Sequence, residues 1–207
     1  MDHTMMVNES DNVFEITPKL PGMNVLGCGW TFRVKPTTTG HIASFKARMV
    51  VKGCGQRAIL DYAPSDLYSP VGNSSNIKLI ISLAACYGLT ISNCDVQNAF
   101  QKCQLSNNPT TQHRSIHMKQ VPGYHLRETN GDLLRSINGN ELVAHLHASL
   151  NGLKQSSQVW YSELSAYLLT QGLIQSQFDS CIFKRDCDIR SENFIIMSIF
   201  VDDIIIA

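Results

Sequence analysis

The sequence has no surplus of charge of either sign. Its 207 residues carry 17 Lys and Arg against 17 Asp and Glu, a formal net charge of zero, which argues against a surface that is basic throughout and draws polyanions by bulk attraction. No two cysteines form a Cys-x-x-Cys pair. The seven are odd in number and scattered through apolar or small-residue contexts, the pattern of reduced intracellular thiols and not of a disulfide framework. His113 and His117, and His145 and His147, are close in sequence, but no cysteine pair stands at finger-like spacing from either, so a structural zinc is not expected. The first ten residues, MDHTMMVNES, lack the basic and apolar segments of a secretory signal. No apolar run reaches the roughly 20 residues of a membrane span. An intracellular protein, neither secreted nor membrane-bound, is expected. Hydrophobic residues make up 43% of the chain, enough for a real core.

Acids are missing from two long stretches. Between Glu15 and Asp61 the only ionised groups are the bases Lys19, Arg33, Lys35, Lys46, Arg48, Lys52 and Arg57. Between Asp95 and Glu128 they are Lys102, Arg114, Lys119 and Arg127. Each stretch is a solvated face or a track for phosphates.

Residues 1–24 are polar, hold Pro18 and Pro21, and show little periodicity, so they read as a lead-in. From Trp30, apolar Trp30, Phe32 and Val34 alternate with polar Thr31, Arg33 and Lys35. A PTTTG turn follows, and residues 42–52 return as a second strand with Lys46, Arg48 and Lys52 on one face. A helix is expected from residues 73–75 to Tyr87, with Ile77, Ile80, Ile81, Ala84 and Ala85 as its core stripe and Gly88 as its stop. Residues 89–94 read as a buried strand delivering Asp95. Residues 101–140 are turn-rich, with Asn107, Asn108, Pro109, Pro122, Gly123, Asn130 and Gly131, and suggest an elaborated connection with room for a hairpin. Residues 159–171 read as a second helix, closed by Gly172, whose Trp160, Tyr161, Leu164, Tyr167 and Leu168 repeat at core spacing. Residues 181–184 and 194–200 form the last hairpin arms. The expected fold class is α+β, a mainly antiparallel sheet with helices on one face.

The chemistry concentrates at residues 194–207, FIIMSIFVDDIIIA, where Asp202 and Asp203 interrupt a β-branched run. An ionised carboxylate buried without a partner costs several kcal/mol, roughly, so the pair needs a hairpin tip in water or a cation between the acids. Asp95 is the third acid, at the end of a strand and followed by Val96, Gln97, Asn98, Ala99 and Phe100.

Together the segments WTFRVK, FKARMVVKG, DYAPSDLYSPV, CDVQNAF, LNGLKQSSQVWY and FVDDIIIA resemble, in order, the motifs of the reverse transcriptase domain of copia-type LTR retrotransposons. The resemblance covers nearly everything after the lead-in. It implies a polymerase palm-and-fingers fold, with fingers-like residues 25–72 and a partial palm at 73–207 that carries a fingers-like insertion at about 101–140. It implies two-metal nucleotidyl transfer with two Mg²⁺ ions, Mn²⁺ being the alternative. Asp95 and Asp202 would bridge the metals with the Val96 backbone, and Asp203 would support them. Lys46, Arg48, Gly152 and the backbone of residues 96–100 would hold the deoxynucleoside triphosphate, with Phe100 excluding a ribose hydroxyl. Arg33, Lys35, Lys52 and Lys154 would follow an RNA or DNA template and its primer. Such a domain works in the cytoplasm, within a retroelement particle, or in the nucleus.

Some positions depart from the family pattern, among them Asn151, Ser156, Ser157, Gln158 and Phe200. Four residues follow Asp203, so the second strand of the catalytic hairpin is expected to be a stub, the thumb to be missing, and the chain to polymerise poorly alone. Two other readings use the same residues: a non-catalytic remnant that binds nucleic acid through its basic segment, and a two-metal hydrolase of another fold.

Overall fold

The computed structural model describes residues 12–106, 111, 114–123, 139 and 141–207. In chain order the strands of the first half are β1 (Phe14–Pro18), β2 (Val25–Leu26), β3 (Cys28–Pro36), β4 (Ile42–Val51) and β5 (Ser92–Asp95), with helix α1 (Ser74–Tyr87) before β5. Then come β6 (Ile116–Lys119), β7 (Leu142–Leu146), helix α2 (Ser156–Thr170), β8 (Ile174–Gln175), β9 (Ile182–Arg185), β10 (Ile195–Phe200) and β11 (Asp203–Ile206). The chain divides into two compact units, Met1–Leu67 with Phe100–Ser156 and Tyr68–Ala99 with Ser157–Ala207. The described residues within 101–140, the span expected as a fingers-like insertion in the palm part of the chain, group with the first unit. The turn signals at Asn107, Asn108, Pro109, Asn130 and Gly131 lie outside the described residues.

The first unit holds a four-stranded sheet, β1-β7-β6-β2, and the long ribbon β3-β4. Every pairing is antiparallel except that of β2 with β6. The lead-in expected before residue 25 is only partly that. Phe14–Pro18 pairs along its whole length with β7, and Val13 is fully buried. The partner strand lies so far along the chain that local periodicity gives no sign of the pairing. The core joins Val13, Leu26, Met49, Val51, Met118, Ala144, Leu146 and Leu150, and along β6 and β7 consecutive residues such as Ile116–Met118 and Val143–Ala144 are buried.

The LNGLKQ segment closes this unit. Gly152 has φ +93°, and a Cβ there would lie 2.1 Å from the Val51 carbonyl oxygen. A Cβ on Gly53 would lie 2.1 Å from the Gly152 oxygen. The close approach that glycine permits at 152 is therefore to the end of β4, where Val51 N donates to Asn151 O at 2.8 Å. Gln155, fully buried, accepts from Gln56 Nε2 at 2.9 Å and donates to Asp61 O at 3.2 Å. Buried Asp61 accepts from Asn24 Nδ2 and from the Arg57 amide, each at 2.6 Å. Buried polar groups satisfied in this way fix one packing among the many that apolar contact alone would allow.

In the second unit the sheet order is β5-β11-β10-β9-β8, antiparallel throughout. Asn73 caps α1 by accepting from Ser75 N, and Gly88 ends it in the left-handed conformation, as the sequence indicates. The core stripe is narrower than expected: Ile80 and Ala84 are buried, while Ile81 and Ala85 are exposed. The strand before Asp95 is not buried either. Ser92–Asp95, at the edge of its sheet, is exposed at every residue. Nor is the last strand a stub, since β11 is paired on both sides and Ile204 is 7% exposed.

Three glycine substitutions separate backbone clash from backbone strain. Gly152→Ala meets both, and denaturant unfolding should show a loss of about 3 kcal/mol or more. Gly53→Ala meets the clash at an ordinary φ, and Gly40→Ala, at φ +83° with nothing within 4 Å, should cost only about 1 kcal/mol. Equal losses at Gly152 and Gly40 would contradict the packing described.

Candidate active site

Strands β10 and β11 form a hairpin, with Phe200 opposite Asp203 and Val201 and Asp202 as the turn. Val201 has φ +57°. A β-branched residue rarely adopts this conformation, which stores about 1–3 kcal/mol. Two-residue hairpin loops with a positive φ at the first central position usually place glycine, asparagine or aspartate there. Something must hold the turn in place, and one holder is Trp160 of α2, whose Nε1 donates to Val201 O at 2.7 Å. The expected aromatic stripe is core at Trp160, Leu164 and Leu168, but Tyr167 is exposed. The polar edge of Trp160 does something that spacing alone does not reveal.

On its other side β11 pairs with β5, and Asp203 stands opposite Asp95. The Val96 amide donates to the Asp202 carbonyl at 2.9 Å. Two segments remote in sequence are thereby neighbours across one strand pair. The Val96 amide, expected to help cradle a triphosphate, is already engaged by that bond, which leaves its carbonyl as the group it can offer. Residues paired in register share a face, so the Asp95 and Asp203 side chains lie on the side of the sheet that carries Phe200. On that face Ile77, Asn93, Ser198, Phe200, Asp203 and Ile205 line a shallow hollow.

All three carboxylates are exposed, and among the described residues none makes an ion pair. Like charges directly opposite on paired strands destabilise by up to about 1 kcal/mol. A cation between them reverses that sign, and carboxylate oxygens are the donors hard divalent ions require. The donor set thus fits such an ion. The three acids do not themselves converge as a ready ligand set. Among the described residues, the group whose ligand atoms do converge is Glu15, His145 and His147 in the first unit.

In that group the hydrogen bond from His145, and then the charge of His147, hold the Glu15 carboxyl below its ordinary range. Burial lowers His117, whose ring stacks on His145 with centroids 4.8 Å apart. Burial also pushes the Cys181 thiol up to about 11. All seven cysteines are free.

The remaining expected site residues fall as follows. Gln97 and Asn98 are exposed, Asn98 has φ +54°, and Ala99 begins a 3-10 turn, Ala99–Lys102, that contains half-buried Phe100. Phe100 belongs to the first unit and Asp95 to the second. On the ribbon Arg33 pairs with Lys46, Thr31 with Arg48, and Lys35 with Ser44, so Arg33, Lys35, Lys46 and Arg48 share one face. Lys52 lies just past β4. The Lys154 ammonium donates to the Tyr62 hydroxyl at 3.1 Å and sits 4.5 Å from that ring's centre.

Residues 11–207 match the family model of the reverse transcriptase (RNA-dependent DNA polymerase). The chain is 33% identical over 191 residues to the retrovirus-related Pol polyprotein from transposon RE2 of Arabidopsis thaliana, covering 92% of this chain and 12% of that protein. It is 32% identical over 197 residues to the corresponding polyprotein from transposon RE1 of the same plant, covering 95% of this chain and 12% of that protein. With the polyprotein from transposon TNT 1-94 of Nicotiana tabacum it shares 30% identity over 207 residues, 100% of this chain and 14% of that protein. The chain belongs to the reverse transcriptase family, in its copia-type branch. It spans only 12 to 14% of the length of these relatives. Among the described residues no helix is long and apolar enough to cross a membrane.

Trp160→Phe keeps a ring in the core and removes the bond to the Val201 carbonyl. Urea unfolding should show a loss of about 1 kcal/mol or more, and amide exchange at the turn should quicken. An unchanged midpoint with unchanged exchange would show that the indole does not hold the turn.

Proposed function

We propose that the chain is the fingers and palm part of an RNA-directed DNA polymerase, carrying out nucleotidyl transfer at Asp95, Asp202 and Asp203. The observation that carries this reading is the register of β5 on β11, which sets Asp95 opposite Asp203 and ties Val96 to Asp202. Asp95, Asp202 and the Val96 carbonyl would hold divalent cations, with Asp203 keeping the local field negative. Two such ions, Mg²⁺ or Mn²⁺, supply the charge that lowers the pKa of a primer 3′ hydroxyl and neutralises the departing pyrophosphate. The basic face of the β3-β4 ribbon suits a phosphate backbone, RNA or DNA, and makes that binding salt-sensitive and indifferent to sequence. The roles implied for Lys46, Arg48, Phe100 and Gly152 toward the deoxynucleoside triphosphate, and for Lys52 and Lys154 toward the template, belong to the same proposal.

The ribbon also favours a second reading, nucleic-acid binding without catalysis, because its four cations share a face whatever the acids do.

Incorporation of a single deoxynucleotide on an RNA template, with the chain in excess over primer, tests the first reading. Slow Mg²⁺-dependent extension should fall at least about a hundredfold in Asp202→Asn, as when a main electrostatic contributor is removed. Extension indifferent to Asp202, or template cleavage in its place, contradicts it. No extension, with template affinity unchanged by Asp95→Ala, selects the second reading.

A further inference from the structure

The group formed by Glu15, His145 and His147 has no part in the chemistry above and lies in the first unit. Glu15 is on β1 directly opposite His145 on β7. His147, two residues on, points to the same region, and its amide donates to Val13 O at 2.9 Å. His145 Nδ1 is 3.2 Å from one Glu15 carboxylate oxygen, and His147 Nε2 is 3.6 Å from the other. Ligand atoms from all three side chains lie within 4.8 Å of one another. His117, opposite His145 on β6, stacks on its ring at an interplanar angle of 22° and limits how that ring can turn.

We propose that Glu15, His145 and His147 form a binding site for a late first-row divalent cation, Zn²⁺ being the type, that clamps β1 to β7. The donor chemistry selects the metal. Two imidazole nitrogens and one carboxylate oxygen suit zinc and its neighbours, whereas Mg²⁺ takes oxygen almost exclusively. Bonds of about 2.0–2.2 Å to such an ion need donor atoms somewhat closer together than the widest pair here, a contraction that side-chain rotation supplies. The site is open enough to load, the side chains of His145 and His147 being 26% and 28% exposed. Three protein ligands leave a fourth position for water. The alternative is a carboxylate hydrogen-bonded between two imidazoles with no affinity for metal.

Calorimetric titration of the full, reduced and metal-free chain with Zn²⁺, in excess Mg²⁺ to occupy hard oxygen sites, separates the two. One site of about 10 μM or tighter is expected, weakened about tenfold or more in Glu15→Gln and in His147→Ala and unchanged in Asp95→Asn. Glu15 is largely exposed, so its substitution leaves the fold intact. Added Zn²⁺ should raise the melting temperature of the wild type and not of Glu15→Gln. Bound Co²⁺ should show ligand-field bands without thiolate charge transfer. Absence of binding, binding that Glu15→Gln leaves unaltered, or a thiolate band marking cysteine ligands overturns the proposal.

Discussion

The pairing of β5 with β11 is the constraint on which the site depends. Side chains alternate with a period of two, so a slip of one residue would carry Asp95 to the opposite face of the sheet, away from Asp203. Several local features oppose the slip. The Val96 amide is bonded to the Asp202 carbonyl, Ile204 is buried where a slip would place Asp203, and the two-residue turn fixes β11 against β10. The strained Val201 and its Trp160 anchor belong to the same device. Strain at a turn persists where the surrounding structure over-determines it, and here strand pairing and a helix side chain both do so.

The first unit shows a different economy. Its LNGLKQ segment packs by absence of side chains at Gly53 and Gly152 and by a satisfied network at Gln56, Gln155 and Asp61. Apolar area would have held these parts together in several arrangements; the glycines and the network leave one. The basic ribbon that leaves this core keeps its cations on one face and Trp30, Phe32, Val34 and Phe45 on the other, a separation that follows from strict alternation in both strands.

Much of this was legible in the sequence because it is local. The cap at Asn73, the stop at Gly88, the ribbon with its PTTTG turn, and the acidic hairpin each rest on a few neighbouring residues. What was not legible depends on partners distant along the chain. Strand β1 is five residues ending in proline, and only pairing with β7 makes it structure. The exposure of β5 reflects which elements pack on its faces, and the run before Asp95 does not encode that. The placing of Asp95 beside the acidic hairpin came from family resemblance, and the register of β5 on β11 sets it opposite Asp203. The role of Trp160 and the convergence of Glu15 on His145 and His147 were invisible for the same reason: spacing along one element says nothing about the atoms another element brings.

The most direct test of the central claim is whether Asp95 and Asp202 act on the same ion. Mn²⁺ binding should be titrated, in a Glu15→Gln background, for the parent chain, Asp95→Asn, Asp202→Asn and the double variant. If the register is right, the double variant loses little more affinity than either single one, a coupling of about 1 kcal/mol or more. Losses that simply add would place the two carboxylates on separate ions or on none, and would contradict the site.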